Sequence, residues 1–287
     1  MISIAIPTYN RDAVLVETVE RLLALTPPAD EILIVDQTVA HPPEIEAKLA
    51  ALPIRWIRLA EPSIPKAMNV ALREARSSHV LFLDDDVIPS PSLVAEHAAA
   101  HTEGVWAVVG QVLQPGEEPA HFDEATLRRG LLRDLEFRFR HDTACDVQNV
   151  MAGNLSVDRE KALSIGGFDE QFIAVAYRFE SDFALRIVKA GGRIRYEPRA
   201  TLRHLKAPSG GVRAYGDHRT SAHPAHSVGD YYFALKHLPR FWPYALQRLR
   251  KNVLTRYHLT HPWQLPSKIT GELRGIRLAR KLLQGER

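Results

Sequence analysis

The chain has few of the features that would place it outside the cell or across a membrane. Its 287 residues include one cysteine, Cys145, which excludes an intramolecular disulfide and suits a reducing compartment. No apolar run approaches the roughly 18 residues of a membrane-spanning helix. The first residues enter an apolar stretch with no basic segment ahead of it, so we expect no signal peptide. These absences predict a cytoplasmic protein, soluble or peripheral on the inner face of the membrane.

Two glycine-rich phosphate-binding motifs are also missing. No Gly-x-Gly-x-x-Gly follows the first predicted strand, and no Gly-x-x-x-x-Gly-Lys-Ser/Thr occurs anywhere in the sequence. The usual dinucleotide-binding fingerprint and the P-loop are therefore excluded. The composition itself is globular, with 45% hydrophobic and 25% charged residues. The length suits one large domain or a domain with an appendage.

Charge is unevenly distributed along the chain. The formal net charge is +3, yet residues 224–287 hold twelve Lys/Arg against three Asp/Glu, a net of +9. Residues 1–223 are therefore acidic, with a net charge of −6. A basic C-terminal segment can bind membranes, nucleic acid or acidic partners, and charge alone does not choose among them.

Strands and helices alternate through the first half of the sequence. Short apolar runs typical of buried strands are followed by segments with apolar residues at helical spacing. This order predicts βαβ units and a mainly parallel, doubly wound α/β sheet with helices on both faces. Further along, the sequence predicts a helix that opens at Ser90–Pro91 and two short strands, Arg193–Tyr196 and Ala200–His204.

The most informative segment is Val80–Pro89, where four apolar residues run into Asp84, Asp85 and Asp86. The apolar run predicts a buried strand, so the carboxylates stand at its carboxyl end, where ligands bind in open parallel sheets. Three adjacent carboxylates repel one another unless a cation lies among them, and Mg²⁺ or Mn²⁺ is the usual solution. The alternative is a solvated acidic turn. Asp36 ends another predicted strand at the same rim, which is the arrangement expected of a nucleotide site.

Two later segments supply further candidate residues. Glu180 and Asp182 lie in the first turn of a predicted helix, where the helix dipole favours their anionic form. We expect one of them to cap the helix and the other to act as a general base. His204 ends a predicted strand before a loop with Lys206 and two glycines. A lone histidine is more often packed or on the surface than a ligand, but these neighbours favour a phosphate-facing loop. Asp123–Arg140, rich in both charges, predicts a surface helix or a flap.

Five motifs follow one another in a fixed order along the sequence. They are Ile6-Pro7-Thr8-Tyr9-Asn10-Arg11, Val35-Asp36, Phe82-Leu83-Asp84-Asp85-Asp86, Gly166-Gly167-Phe168-Asp169-Glu170, and Glu180-x-Asp182 with Arg186. Each motif alone has moderate specificity. In this order and spacing they resemble the family 2 glycosyltransferases, which have the GT-A fold, over roughly residues 1–210.

The resemblance implies a metal-dependent, inverting glycosyltransferase. It would move a sugar from a UDP-, dTDP- or GDP-linked donor to a saccharide or lipid-linked acceptor. Mg²⁺ or Mn²⁺ is implied at Asp86, Asp84 and His204, and Glu180 is implied as the catalytic base, with Asp182 as the rival. The residues implied to line the nucleotide-sugar pocket are Pro7, Thr8, Asn10, Arg11, Asp36, Gln37, Lys66, Asn69, Asp84 and Asp85. Among the three acids, Asp84 is expected to face the nucleotide and Asp85 to be mainly structural.

Three positions depart from the family pattern. Gln37 stands where many members carry a second Asp that contacts uracil, which leaves the donor base open. Met68 precedes Asn69 where many members have Arg, and Lys66 is expected to supply that charge. The usual Glu-Asp pair reads Phe179–Glu180, so Glu would replace Asp as the base.

The resemblance also implies a division of the chain. A catalytic domain would span 1–215, with a nucleotide-binding half at 1–113 and an acceptor-binding half at 114–215, and a basic helical extension would span 216–287. The aromatic and basic residues of Tyr231–Lys251 predict one helix, which suits either a membrane headgroup region or ordinary packing on the domain. We do not expect nucleic-acid binding, because no recognised motif accompanies the charge.

Two rival functions stay open on the sequence. One is a sugar nucleotidyltransferase, which is expected to carry a glycine-rich, basic loop after the first strand, where this chain has Pro-Thr-Tyr-Asn-Arg. The other is a module that binds a nucleotide or glycan without turnover.

Overall fold

The computed structural model describes residues 1–123, 137–207, 209–211 and 219–285. The chain divides into two compact units. Unit 1 contains Met1–Phe168 and Phe183–Gly211, and unit 2 contains Asp169–Asp182 and Val212–Arg287. The predicted domain boundary at 215/216 and most of the predicted flap lie outside the described residues.

Unit 1 is an α/β unit built on a single sheet of the described strands. The strands are β1 (Ile2–Thr8), β2 (Glu31–Asp36), β3 (Arg55–Arg58), β4 (His79–Leu83), β5 (Val87–Pro89), β6 (Val105–Leu113), β7 (Cys145–Val147), β8 (Asn154–Asp158) and β9 (Arg193–His204). The helices are α1 (Ala13–Leu23), α2 (Pro43–Ala51), α3 (Ile64–Glu74), α4 (Leu93–Ala100), α5 (Arg159–Ser164) and α6 (Phe179–Lys189), the last of which starts in unit 2.

The sheet has the strand order β3-β2-β1-β4-β8-β6-β9-β5, with β7 paired to β9. The pairs β1–β2, β1–β4, β2–β3 and β6–β9 are parallel. Because β4 and β6 are both antiparallel to β8, they run in the same direction, which β1, β2, β3 and β9 share, and this confirms the mainly parallel α/β fold. β8 lies antiparallel between β4 and β6, and β5 and β7 are antiparallel to β9. β1, β2 and β4 therefore end at the same rim, where Thr8, Asp36 and the aspartate triplet lie.

The hydrophobic core fixes the position of this rim. β1 and β4 are buried along nearly their whole length. Helix α1 contributes Leu15, Val19 and Leu22, spaced three and four apart and all buried against the sheet core. Because β1 and β4 are buried on both faces, they hold the polar residues at their carboxyl ends in fixed positions.

Two local predictions in unit 1 were wrong. β9 is one strand instead of two, because its pairing with β6 continues past Pro198 through an irregularity between Glu197 and Thr201. α4 begins at Leu93, two residues beyond Ser90–Pro91. The carbonyl of Ser90 accepts a bond from the Leu93 N–H, so the Ser-Pro pair forms a turn that precedes the helix.

Unit 2 is mainly helical in its described residues, with turns over residues 169–178. Its α-helices beyond the first turn of α6 are α7 (Val228–His237), α8 (Phe241–Val253), α9 (Arg256–Thr260) and α10 (Leu265–Leu283). α7 packs on α10, and the Tyr231 hydroxyl donates to Glu272 at 2.7 Å across that contact. No described helix combines the length and apolar character that a bilayer span requires.

The aromatic and basic stretch Tyr231–Lys251 consists of two helices that are separated at Leu238–Arg240. Tyr231, Tyr232 and Phe233 are buried on α7. These three aromatic residues therefore pack inside the protein and are not available to a membrane headgroup region, which decides between the two alternatives for them.

Candidate active site

The three consecutive aspartates have different surroundings. Asp85 is buried, Thr8 Oγ1 donates to it at 2.7 Å, and Arg11 Nε lies 3.1 Å from its other oxygen. Burial raises the pKa of Asp85 to about 7, against the opposing effects of Arg11 and Thr8. Asp85 thus joins the end of β4 to the end of β1.

Asp84, Asp86 and His204 form a second arrangement, in which their ligand atoms all lie within 4.8 Å of one another. His204 Nε2 is 3.0 Å from Asp86 Oδ1 and 3.9 Å from Asp84 Oδ2. Antiparallel pairing of β5 with β9 brings them together, because Val87 stands opposite His204. Carboxylate oxygens suit Mg²⁺ and Mn²⁺, so this donor set fits the cation that the sequence implies.

Gln114 orients the imidazole of His204. His204 Nδ1 lies 3.1 Å from Gln114 Oε1, so Nδ1 donates its proton there and Nε2 faces the carboxylates. The bond to Asp86 raises the pKa of His204. Burial raises the pKa of Asp86, but the bonds from His204 and the Ala207 N–H outweigh burial and lower it. Gln114 is 90 residues away from His204, and no sequence motif pointed to it.

Asp86 is held more firmly than Asp84. The Ala207 N–H donates to Asp86 Oδ2 at 2.7 Å, and the Leu205 N–H donates to the Asp86 carbonyl at 2.8 Å. The Asp84 side chain, in contrast, is 50% exposed. Asp84 is therefore the more accessible of the two acids to a ligand.

Gly153 provides the space that Asp84 occupies. A Cβ atom at position 153 would lie 2.3 Å from Asp84 Oδ2, well inside contact distance. The backbone at Gly153 therefore approaches the Asp84 carboxylate closely.

Arg11 is a cation among the acids, in addition to any metal ion. Its guanidinium lies beside Asp85 and 3.6 Å from Asp86 Oδ2. It also donates to the backbone carbonyls of Ala207 and Ser209. Arg11 therefore offsets part of the repulsion within the triplet and fixes the loop after β9.

Asp36 is buried at the end of β2, and its carboxylate accepts bonds from three groups. These are the Thr38 N–H at 2.8 Å, Trp56 Nε1 at 3.0 Å and His41 Nε2 at 2.7 Å. His41 also bonds to Asp12 through Nδ1 at 2.8 Å. Asp36 thus anchors the loop after β2, and its contact with a nucleotide stays a prediction.

Three more predicted pocket residues belong to the ends of β1 and β2. Pro7 lies within β1, and the N–H of Asn10 donates to Thr38 Oγ1 at 2.8 Å. Gln37 is buried, donates from Nε2 to the Thr8 carbonyl at 3.3 Å, and accepts a bond from the Ser63 N–H. Gln37 therefore connects the two strand ends to the start of α3.

Lys66 and Asn69 both lie on α3. The Lys66 ammonium group is 3.6 Å from the exposed Glu61 carboxylate. Asn69 donates to the Phe168 carbonyl at 2.8 Å and accepts from the Phe168 N–H at 2.7 Å. These contacts fix the backbone at Phe168, and the role of Lys66 and Asn69 in donor binding stays a prediction.

In unit 2, Glu180 and Asp182 lie in the first turn of α6. Asp182 is fully buried, and its Oδ1 is 2.7 Å from Lys236 Nζ and 2.7 Å from His237 Nε2. Lys236 Nζ is also 2.6 Å from Asp169 Oδ2. Asp182 therefore belongs to a buried ionic cluster with α7, whereas Glu180 is only half-buried.

The backbone that leads into α6 adopts strained conformations. Ala174, Ala176 and Arg178 have φ values of +59°, +53° and +73°. Non-glycine residues in this region carry a strain of about 1–3 kcal/mol each, and such strain clusters at functional sites. Arg178 Nε lies 3.2 Å from Asp230 on α7, which helps to hold the turn.

A second potential metal-binding group, His121, His141 and Asp142, also places its ligand atoms within 4.8 Å of one another. The Phe122 N–H donates to His141 Nδ1 at 3.2 Å, which engages the lone pair that a metal would need. The group with Asp84 and Asp86 is therefore the better candidate for a metal site.

Structures with the GT-A fold of glycosyltransferases resemble this chain over most of its length. A mannosyltransferase from Pyrobaculum calidifontis, solved with GDP-Man and Mn²⁺, is 19% identical with a TM-score of 0.56, covering 99% of this chain and 79% of that chain. GalNAc-T7, solved with UDP, GalNAc and Mn²⁺, is 14% identical with a TM-score of 0.57, covering 88% and 54%. Glucosyl-3-phosphoglycerate synthase from Mycobacterium tuberculosis, solved with Mn²⁺, UDP and phosphoglyceric acid, is 18% identical with a TM-score of 0.50, covering 72% and 72%. At these identities the likeness shows the fold.

The model of glycosyl transferase family 2 matches residues 3–162, more than half of the chain. The chain therefore belongs to glycosyl transferase family 2 and is a glycosyltransferase. A search of curated proteins found no match. Family membership decides against the rival sugar nucleotidyltransferase and the rival binding module.

Proposed function

We propose that this glycosyltransferase uses a nucleotide-sugar donor, UDP-, dTDP- or GDP-linked, together with Mg²⁺ or Mn²⁺ held by Asp84, Asp86 and His204. The observation that carries the proposal is the meeting of these three side chains within 4.8 Å at the rim of the sheet. The presence of GDP-Man or UDP with Mn²⁺ in structures of similar fold supports the same donor class. When bound, the cation supplies positive charge that stabilises the departing diphosphate.

The residues around this group are suited to the cation. Gln114 keeps His204 Nε2 turned toward the acids, and Gly153 leaves room for the Asp84 carboxylate. Arg11 and Thr8 engage Asp85, so the acids directed toward the ligand are Asp84 and Asp86. In this proposal Asp84 faces the nucleotide and Asp86 the metal.

The transfer is proposed to invert the anomeric centre. The acceptor oxygen bonds to the anomeric carbon as the bond from that carbon to the diphosphate oxygen breaks, and Glu180 accepts the hydroxyl proton. The resemblance of the Glu180-x-Asp182 segment to the family motif supports this assignment. Asp182 is the weaker candidate, because its buried carboxylate already bonds to Lys236 and His237.

The acceptor is proposed to be a saccharide or a lipid-linked saccharide, as in polysaccharide biosynthesis. A lipid-linked acceptor places the enzyme on the cytoplasmic side of a membrane, attached at its surface. The basic charge of residues 224–287 supports that placement. Acceptor choice is assigned to residues 114–150 and to the C-terminal helices.

Variants at position 180 test the base assignment. We expect Glu180→Gln to bind donor and Mn²⁺ like the unmodified protein but to transfer sugar about 10²–10⁴-fold more slowly. Glu160→Gln, an exposed change on α5, is the matched control and should transfer at the normal rate. Nuclear magnetic resonance of the product should show the anomeric configuration opposite to that of the donor. Transfer by Glu180→Gln at the unmodified rate would disprove the assignment.

A further inference from the structure

The charged side chains exposed on the described C-terminal helices are all basic. Between residues 219 and 285 the acids are Asp230 and Glu272, which are 3% and 0% exposed. Both are paired inside unit 2, since Arg248 contacts each of them and Lys268 Nζ lies 2.7 Å from Glu272. The exposed basic residues of the same range are Arg219, Arg240, Arg250, Lys251, Arg256, Arg274, Arg277, Arg280 and Lys281.

Large apolar side chains are exposed on the same helices and their connections. Trp242, Leu259 and Trp263 are 57%, 76% and 66% exposed. Other exposed apolar residues of this range are Leu246, Leu254, Ile269, Leu273 and Leu283. A single exposed leucine needs no explanation, but a concentration of such residues on a basic surface marks an interaction site.

On α8 and α10 exposed apolar residues share one side of each helix with some of the basic residues. Trp242, Leu246 and Arg250 follow one another at four-residue intervals on α8. The corresponding stripe on α10 consists of Ile269, Leu273, Arg277 and Arg280. The Arg280 guanidinium lies over the Trp242 ring at 5.7 Å, so the two stripes adjoin.

We infer that these two stripes form a surface that docks on an anionic lipid bilayer. Tryptophan favours the headgroup region, exposed leucine and isoleucine gain from shallow burial there, and arginine and lysine are attracted to anionic lipids. A nucleic acid would use the positive charge but would leave the exposed aliphatic side chains uncovered. The inference deepens the membrane placement in the proposed function, and the contacts that carry it all lie within unit 2.

Vesicle sedimentation of the full chain tests this surface. The probes are vesicles of phosphatidylcholine alone and of phosphatidylcholine mixed with an equal amount of phosphatidylglycerol. We expect binding to the mixed vesicles, weakened by added salt, and little binding to phosphatidylcholine alone. We expect the pair Trp242→Ser with Leu246→Ser, and the pair Arg277→Gln with Arg280→Gln, each to weaken binding at least about tenfold.

Matched controls lie on unit 1. Leu163→Ser and the pair Arg73→Gln with Arg76→Gln replace exposed residues of the same kinds and should bind like the unmodified chain. Asp86→Ala should also bind the mixed vesicles normally, so that a failure of donor binding can be told apart from a failure of vesicle docking. Equal binding by the stripe variants and the controls would overturn the inference, as would the absence of binding to the mixed vesicles. Release from these vesicles by an RNA oligonucleotide, but not by a neutral polymer, would instead indicate a nucleic-acid surface.

Discussion

Asp84 and Asp85, which adjoin at the end of β4, should respond differently to loss of charge. Burial disfavours the charge of Asp85, as its raised pKa shows, and Arg11 keeps Asp86 and two backbone carbonyls as partners. Asp85→Asn should therefore change the free energy of unfolding by less than about 1 kcal/mol, with little effect on Mn²⁺ affinity. Asp84→Asn should weaken Mn²⁺ binding about tenfold or more and leave stability nearly unchanged, because half of that side chain is exposed. Urea unfolding and calorimetric Mn²⁺ titration measure the two effects. An equal loss of Mn²⁺ affinity in both variants would contradict this division of roles.

Gly153→Ala tests the Asp84 position without changing any charge. The new methyl group would lie 2.3 Å from Asp84 Oδ2 and 2.7 Å from Asp84 Cγ, so the whole carboxylate has to move, and it can do so because half of the side chain is exposed. We therefore expect a change in unfolding free energy below about 1 kcal/mol. Mn²⁺ affinity should fall about tenfold. Normal Mn²⁺ affinity in Gly153→Ala would show that Asp84 need not hold its observed position.

The sequence predicts which residue types gather at the rim but not the contacts that divide their roles. Asp36 and the aspartate triplet could be identified because each follows an apolar strand, and parallel strands end at one edge. The contacts of Gln114 with His204 and of Gly153 with Asp84 join distant parts of the chain. Such contacts depend on strand pairing across the sheet, which local patterns do not reveal.

The first turn of α6 is tied to α7 through Lys236. Lys236→Met removes a cation that lies 2.7 Å from Asp182 and 2.6 Å from Asp169, so unfolding free energy should fall by about 1–3 kcal/mol. Because Glu180 shares that turn, kcat should fall more than donor KM changes. Lys251→Met, an exposed change on α8, serves as control for urea unfolding and steady-state kinetics. Equal stability and equal kcat in the two variants would contradict the role of this cluster.

His41 links the loop after β2 to the start of α1 through Asp36 and Asp12. Burial by itself lowers the pKa of His41, but the hydrogen bonds and charges of the two acids raise it above its ordinary value of 6.5. With a raised pKa in the folded state, the stabilisation is complete below pH 6.5 and is lost as the pH rises through the folded-state value. It is also lost in strong acid, as Asp36 protonates through its lowered pKa.

The stability difference between the unmodified protein and His41→Asn should therefore be largest in mildly acidic solution and should shrink toward alkaline pH. Urea unfolding at a series of pH values measures it. A difference that is constant from mildly acidic to alkaline pH would show that the His41 charge contributes nothing.

Some elements could be predicted from local patterns and others could not. Apolar patterns predicted the alternation of β1 to β4 with α1 to α3, because the buried strands are short apolar runs and the helices carry apolar residues at helical spacing. The same patterns predicted two strands in place of β9, which continues past Pro198 through a bulge. They also predicted one helix in place of α7 and α8, which are separated around Pro239. In both places long-range packing, and not local sequence preference, decides the element.

On the scale of the whole molecule, the chain combines an α/β unit of a family 2 glycosyltransferase with a second, helical unit. The exposed charged side chains of the described residues 219–285 are all basic. The described acids of residues 219–285 are buried in ion pairs, so the basic side chains determine the surface charge there. The sequence could predict the sign of that charge but could not show that Trp242 is exposed while Tyr231 is buried.

The most direct test of the central claim is thermal unfolding of the full chain with UDP-, dTDP- and GDP-sugars, each measured with and without Mn²⁺. We expect at least one nucleotide-sugar to raise Tm in the presence of Mn²⁺ and to have little effect without it. Asp86→Asn should lose this Mn²⁺-dependent rise, while Glu180→Gln should keep it. A chain that shows no Tm increase with any donor, or an Asp86→Asn variant that responds as the unmodified chain does, would contradict a metal-dependent nucleotide-sugar site at this rim.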